Sequence, residues 1–218
     1  MVTPTRARSD TAKQERRAQI LTAARILWHT HRYPDLTLNA IAEQVHLTKA
    51  ALFAYFPSKE DLFLSLYEDL LDEFFHDLNR HLDLGGTHTP ATLARTLGSL
   101  TLAHPDLARL IPLLAGILEH NISAERAHAH KTRVAAHLNA TAPRLQRALP
   151  GLRGDAPARL LTYTQALIAG LQPMSDPSPA VREALRDSPL GALHLSLDTA
   201  LPDALTALIT GLSTEQEA

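Results

Sequence analysis

The chain has 218 residues and a formal charge of −2, a length that accommodates one large domain or two small ones with a sizeable core. Its 40 Leu and 34 Ala stand against 4 Val and 8 Ile, so the apolar residues are mostly helix formers and an all-α protein is expected. Zero cysteines exclude a disulfide framework, a thiolate metal site and a cysteine nucleophile, and no run approaches the roughly 18 apolar residues of a membrane span.

The opening run, MVTPTRARSDTAKQERR, lacks the apolar core of a signal peptide. The expectation is a soluble, cytoplasmic chain without a membrane association. The small net charge hides an asymmetry. Residues 1–59 carry nine Lys or Arg against four acids, or +5, and the remainder is therefore −7. A basic piece on an acidic body suits a polyanion-binding module joined to a scaffold that phosphates repel.

In chain order, residues 10–31 predict a first helix, capped by Ser9 or Asp10, with Ile20, Ala24, Leu27, Trp28 and His31 at spacings of three and four. Residues 1–9 read as a flexible basic tail. Thr37 caps a short segment in which Leu38, Ile41, Ala42 and Val45 share a face. Thr48 caps a second, KAALFAYF, closed by Pro57. Ser58 opens a long helix with Leu62, Leu66, Leu70, Phe74, Leu78 and Leu82 every four residues. It breaks at Gly85 and Gly86. Further helices are predicted near 90–103, 106–120 (kinked or split at Pro112), 123–148, 157–172, 179–187 and 199–212, with prolines in the gaps. Residues 213–218 read as a disordered end.

Two short helices joined by a turn of about three residues, flanked by longer ones, have the spacing of a helix-turn-helix, whose second helix enters the major groove of DNA. Ile41, Ala42, Leu47, Leu52 and Phe56 would form the core that fixes the angle between the two helices. Lys49, Ala50, Ala51, Phe53, Ala54 and Tyr55 are then left for DNA.

The run ERRAQILTAARILWHTHRYPDLTLNAIAEQVHLTKAALFAYFPSKEDLFLSLYEDLL resembles the N-terminal domain of the TetR family of bacterial transcriptional regulators, most specifically in LTKAALFAYFPSKEDLF. The resemblance implies a helix-turn-helix DNA-binding head over residues 10–57. A connecting helix and a C-terminal body for effector binding and dimerisation would follow over 58–218. It further implies a homodimeric repressor, bound to an inverted-repeat operator in double-stranded DNA and released by a small molecule. Carried over by position, Thr37 and Thr48 are hydroxyl caps beside phosphates and Lys49 is the basic residue opening the recognition helix. Tyr55 is a backbone-touching aromatic, and Lys59 is a phosphate-binding lysine. The sequence departs from the family pattern in the turn, where His46-Leu47-Thr48 replaces Gly-Val-Ser, and in Ala50-Ala51-Leu52-Phe53, which offers few hydrogen-bond donors. Lys49, water and DNA shape then carry more of the specificity. The basic residues Arg6, Arg8, Lys13, Arg16 and Arg17 either add phosphate or minor-groove contacts or simply face water.

For the body, the resemblance places dimerisation on the helices near 157–172 and 199–212. Leu160, Leu161, Tyr163, Thr164, Leu167, Ile168 and Leu171, with Leu201, Leu205, Leu208 and Ile209, are more apolar than one buried face requires. Effector contacts are expected among the polar groups on apolar runs, His120, Asn121, His137, Tyr163, Gln165 and Gln172, around a largely apolar ligand.

The 12 histidines do not predict a metal site, since no pair in the cluster His120, His128, His130 and His137 has the i, i+3 or i, i+4 spacing. Asp72 with His76 and Asp77 with His81 do have it, and read as weak charge pairs along one helix. No cofactor is expected. G-x-S-x-G, the P-loop, the dinucleotide glycine motif, H-E-x-x-H and the EF-hand loop are all absent, so an enzyme is not expected. An all-helical enzyme without a recognisable motif, and a degenerate dimer that binds a small molecule but not specific DNA, are the alternatives.

Overall fold

The computed structural model describes residues 4–186 and 189–214. Among the described residues the secondary structure is helical throughout, with no strand. The helices are α1 (Pro4–Thr30), α2 (Leu38–Gln44), α3 (Lys49–Phe53), α4 (Lys59–Leu84), α5 (Pro90–Ala103), α6 (Pro105–Leu110), α7 (Ala124–Ala148), α8 (Ala156–Ser175), α9 (Pro179–Leu185) and α10 (Leu197–Thr214). No single helix among them is long and apolar enough to cross a membrane.

Some boundaries differ from expectation for local reasons. α1 starts at Pro4 rather than residue 10, so residues 4–9, read as flexible tail, are helical. A proline suits the first helical position, and nothing between it and Asp10 breaks a helix. α3 is shorter than its sequence segment, ending at Phe53. Phe56 precedes Pro57, which disfavours helical backbone, and the chain tightens into a turn where Tyr55 N donates to Leu52 O at 2.9 Å. After α6, the predicted kink at Pro112 is a 3₁₀ turn over Ile111–Leu113 followed by a wider π turn over Leu114–Leu118, since proline supplies no amide to continue the ladder. At the other end α10 runs to Thr214, so residues 213–214, read as part of the disordered end, are helical, and residues 215–218 lie outside the described residues.

The chain divides into two compact units. The first comprises residues 1–69 and 115–123, the second 70–114 and 124–218. In the first, α1 packs on α2 and α2 on α3, around a core that includes Ile20, Ala24, Trp28, Ile41, Ala42, Leu52, Phe56 and Phe63. Phe63 meets Trp28 edge to face at 6.0 Å and Tyr33 at 5.1 Å between ring centroids. In the second, α5 and α8 both pack on α10, and α7 packs on α8. The α5–α10 approach requires a glycine: a Cβ on Gly98 would stand 2.7 Å from the Pro202 ring, inside any tolerable contact. The predicted four-residue stripe of α4 is buried from Leu62 to Leu82. Of the expected dimerisation residues, Leu160, Leu161, Thr164, Ile168, Leu201, Leu205 and Ile209 are buried within the described chain, whereas Tyr163 is 42% exposed.

Candidate nucleic-acid interface

The short helix pair is set by its caps. Thr37 Oγ1 accepts from Ala40 N and Thr48 Oγ1 accepts from Ala51 N, both at 3.1 Å. Each hydroxyl thereby satisfies an orphan amide while keeping its own proton to donate. The link between the helices turns at His46, which has φ 55°, the left-handed region that the missing glycine would have entered at no cost. Leu47 N donates to Ala42 O at 2.9 Å and closes the turn.

Burial sorts the recognition helix. Leu52 and Phe56 are fully buried, and Leu47 is half-buried. Lys49, Ala50, Phe53 and Ala54 are exposed, and Ala51 and Tyr55 are half-exposed. Positions 49, 50, 53 and 54 recur at helical spacing, so one face of α3 and its final turn is presented outward. Phe53 is 41% exposed, and the Lys49 ammonium lies 5.8 Å from its ring centroid. That is a cation–π distance at i, i+4, which orients the one cation of this face.

Two other cations of the head are turned inward. Arg17 donates to Tyr55 O at 3.1 Å and to Ser65 Oγ at 2.7 Å, and its guanidinium lies 4.1 Å from the Phe56 ring centroid. It therefore ties α1 to the turn after α3 and to the start of α4. Lys59 Nζ donates to Tyr33 O at 2.5 Å and sits 3.9 Å from the Tyr33 ring centroid. Burial lowers its pKa, opposed by the nearby carboxylates Glu60 and Asp35. Grouping Arg17 with the basic tail missed its role. The available signal was register, because position 17 precedes Ile20, Ala24 and Trp28 by helical spacing and so lies on the core stripe.

The six residues expected to contact an effector divide between the two units. His120 and Asn121 fall in the first unit and are exposed, while His137, Tyr163, Gln165 and Gln172 fall in the second. His137 is already engaged: its ring stacks on Phe75 at 4.6 Å and Nε2 lies 2.6 Å from Asp72 Oδ1. Arg133 also donates to the Asp72 carboxylate, with Nε at 3.1 Å from Oδ1. Burial would raise the Asp72 pKa, but hydrogen bonds from Arg133 and His137 and their charge outweigh it and hold it below the ordinary carboxylate value. The i, i+4 charge pairs expected on α4 give way to other partners. Asp72 takes Arg133 and His137, and Asp77 takes His104 Nε2 at 3.1 Å and Arg80 at 3.4 Å. His81 instead meets Asp77 O with Nδ1 at 2.8 Å. Among the described residues no group of three or more His, Asp or Glu is arranged to hold a metal ion.

A capped helix pair, braced from behind and presenting a basic and aromatic face, defines a protein of the helix-turn-helix class. Residues 20–66 match the tetR family of bacterial regulatory proteins, and residues 68–216 match the tetracyclin repressor-like C-terminal domain. The chain belongs to the tetR family. Similar proteins include the nucleoid occlusion factor SlmA of Pasteurella multocida, 32% identical over 106 residues that cover 48% of this chain and 51% of that protein. The SlmA of a Marinomonas species is 37% identical over 68 residues, covering 31% and 34% respectively. The chain thus spans about half the length, or less, of these relatives. Among solved structures, a transcriptional regulator from Cytophaga hutchinsonii aligns with a TM-score of 0.52 at 20% identity, over 89% of this chain and 97% of that one. Thermus thermophilus FadR, a TetR family transcriptional repressor in complex with lauroyl-CoA, aligns with a TM-score of 0.52 at 24% identity, over 93% and 97%. At these identities the likeness is one of fold.

Proposed function

We propose that this protein is a DNA-binding transcriptional regulator, a homodimeric repressor that binds an inverted-repeat operator and is released by a small molecule. The observation that carries the reading is the exposed face of α3, where Lys49 and Phe53 project from a helix whose opposite face, Leu52 and then Phe56, is locked into the head. In the groove, Lys49 would reach base edges or phosphates, and Ala50, Ala51 and Phe53 would pack on thymine methyl groups. Thr37, Thr48 and Tyr55 would position the head on the backbone. Lys59 would act mainly by holding the Tyr33 loop, with a phosphate as a competing partner for its ammonium.

The proposed head covers residues 10–57, and residues 58–218 provide the connecting helix and body. α8 and α10 leave an outward surface of small and apolar side chains, with Ala166 and Gly170 on one helix and Ala207 and Gly211 on the other exposed. No heavy atom stands within 4 Å of a Cβ placed on Gly170 or Gly211. Such a surface suits close approach of a second copy by two-fold symmetry. Two heads about 34 to 36 Å apart would then read half-sites one turn apart. An effector in the body would act by preferring a head separation that does not match the operator.

The test is selection of binding sequences from random duplex DNA, followed by anisotropy affinities for the selected and a scrambled duplex at two salt concentrations. An enriched inverted repeat preferred by about 10³ or more is the expected result. Binding without enrichment, weak and steeply salt-dependent, would refute sequence-specific regulation and favour a small-molecule-binding dimer that has lost its operator.

A further inference from the structure

The second unit carries a cleft between α4 and α5, about 650 Å³ in volume, that plays no part in the DNA-facing surface. Its charge sets it apart. The body is acidic, and its cations are generally paired: Arg133 with Asp72, Arg144 and Arg147 with Asp83, Arg182 with Asp176, Arg186 with Glu183. Arg95, on the α5 wall of the cleft, is exposed and makes no ion pair or hydrogen bond among the described residues. Arg80 faces the same cleft from α4. Its carboxylate partner, Asp77, also lines the cleft; Oδ1 stands 3.4 Å from Arg80 and Oδ2 3.1 Å from His104, so both of its oxygens already have a cationic or ring-nitrogen partner.

Of the polar groups around these arginines, one hydroxyl is left as a donor. His81 commits its Nδ1 proton to Asp77 O at 2.8 Å, and in that tautomer Nε2 is an acceptor that adds no donor to the cleft. Thr92 and Thr96 return their hydroxyl protons to the carbonyls of Thr89 and Thr92, at 3.0 and 3.1 Å. Ser99, exposed on the cleft wall, makes no such bond among the described residues and keeps its donor. Guanidinium groups on the two walls, with the Ser99 hydroxyl one turn along α5 from Arg95, recognise oxyanions by charge-assisted hydrogen bonds. The volume exceeds that of a single ion and falls within the range of small-molecule sites.

We infer that the α4–α5 cleft is a binding site for a small polyanion carrying phosphate or carboxylate groups, held between Arg80 and Arg95. None of the residues first expected to contact an effector lines this cleft, and the proposal does not depend on the DNA-binding reading.

The test is calorimetric titration of the full chain, at fixed ionic strength in sodium chloride, with inorganic pyrophosphate and, separately, succinate. The expected result is one saturable site per chain for at least one probe. Arg95→Gln and Arg80→Gln should each weaken it by tenfold or more with helical content unchanged by circular dichroism. Arg182→Gln, on α9 outside the cleft, should leave it unaltered. Saturation by pyrophosphate alone assigns a phosphate-bearing ligand, and by succinate alone a carboxylate-bearing one. Absence of saturation by both probes overturns the proposal, as does equal weakening by all three substitutions, the mark of diffuse charge attraction. Loss of operator binding by any variant would bear on the regulator reading and leave this site standing.

Discussion

Arg17 donates a 3.1 Å hydrogen bond to the backbone carbonyl of Tyr55, joining the first helix of the head to the turn that ends the recognition helix. The guanidinium also reaches Ser65 and covers the Phe56 ring, so one side chain satisfies a carbonyl left free by the end of α3 and fixes the helix from behind. Arg17→Ala is expected to destabilise the protein by about 1 to 3 kcal/mol. It should weaken operator binding beyond what the lost charge explains. Arg17→Lys should recover little, because a single ammonium cannot serve two acceptors in the fork geometry of arginine. Urea unfolding and anisotropy on the same variants check both; full rescue by lysine would show that charge alone matters.

The turn between α2 and α3 contains stored strain at one residue. His46 holds φ 55°, where a β-carbon is crowded. His46→Gly is therefore expected to stabilise the head by about 0.5 to 1 kcal/mol, the relief of strain exceeding the added freedom of the unfolded chain. A lower urea midpoint in the glycine variant would contradict this.

Lys49 and Lys59 should separate specificity from general affinity. Lys49→Ala is expected to relax sequence preference, as is Phe53→Ala, which removes the ring 5.8 Å from the ammonium. Lys59→Ala should cost about 1 kcal/mol of stability through the lost Tyr33 contacts, and it should weaken binding to all DNA sequences alike. Competition between selected and scrambled duplexes distinguishes the two patterns, and unchanged selectivity in both the Lys49 and Phe53 variants would remove α3 from base readout.

The Asp72 pairing predicts a direction with pH. A carboxyl whose pKa is lower in the folded state than in the unfolded one stabilises the fold above its unfolded value. That contribution is lost as pH falls through the depressed folded value. Asp72→Asn should thus be less stable than wild type at neutral pH, and the two should converge as the pH drops below about 4. Thermal unfolding from pH 7 to pH 3 measures the gap, and a gap that is constant with pH would mean that Arg133 and His137 contribute nothing through the charge of Asp72.

The contact between Gly98 and Pro202 gives a packing prediction. Alanine ordinarily strengthens a helix by about 1 kcal/mol over glycine, but a Cβ here would stand 2.7 Å from the proline ring. Gly98→Ala is expected to destabilise by about 1 to 2 kcal/mol, seen as a lower urea midpoint. A net gain would show that α5 and α10 separate easily.

Helix positions, the caps Thr37 and Thr48, the buried stripe of α4 and the exposed face of α3 were all legible in the sequence, because backbone hydrogen bonding fixes the 3.6-residue period and a cap acts within three residues of itself. The extent of α3 was less so, since the tightening before Pro57 competes with a run of good helix formers. What only the tertiary structure decided is the partner of charged side chains such as Arg17 and Asp72. Arg17 meets a carbonyl 38 residues away and Asp72 takes Arg133 and His137 at separations of 61 and 65 in place of the histidine one turn along its own helix. An exposed pair within one helix gains only a few tenths of a kcal/mol, so a better-placed and partly desolvated partner from another helix wins. Packing, not spacing, determines which one is within reach. The same reason hides the α4–α5 cleft from the sequence: Arg80 and Arg95 carry no motif, and they acquire a shared role only when two helices bring them to opposite walls of one space.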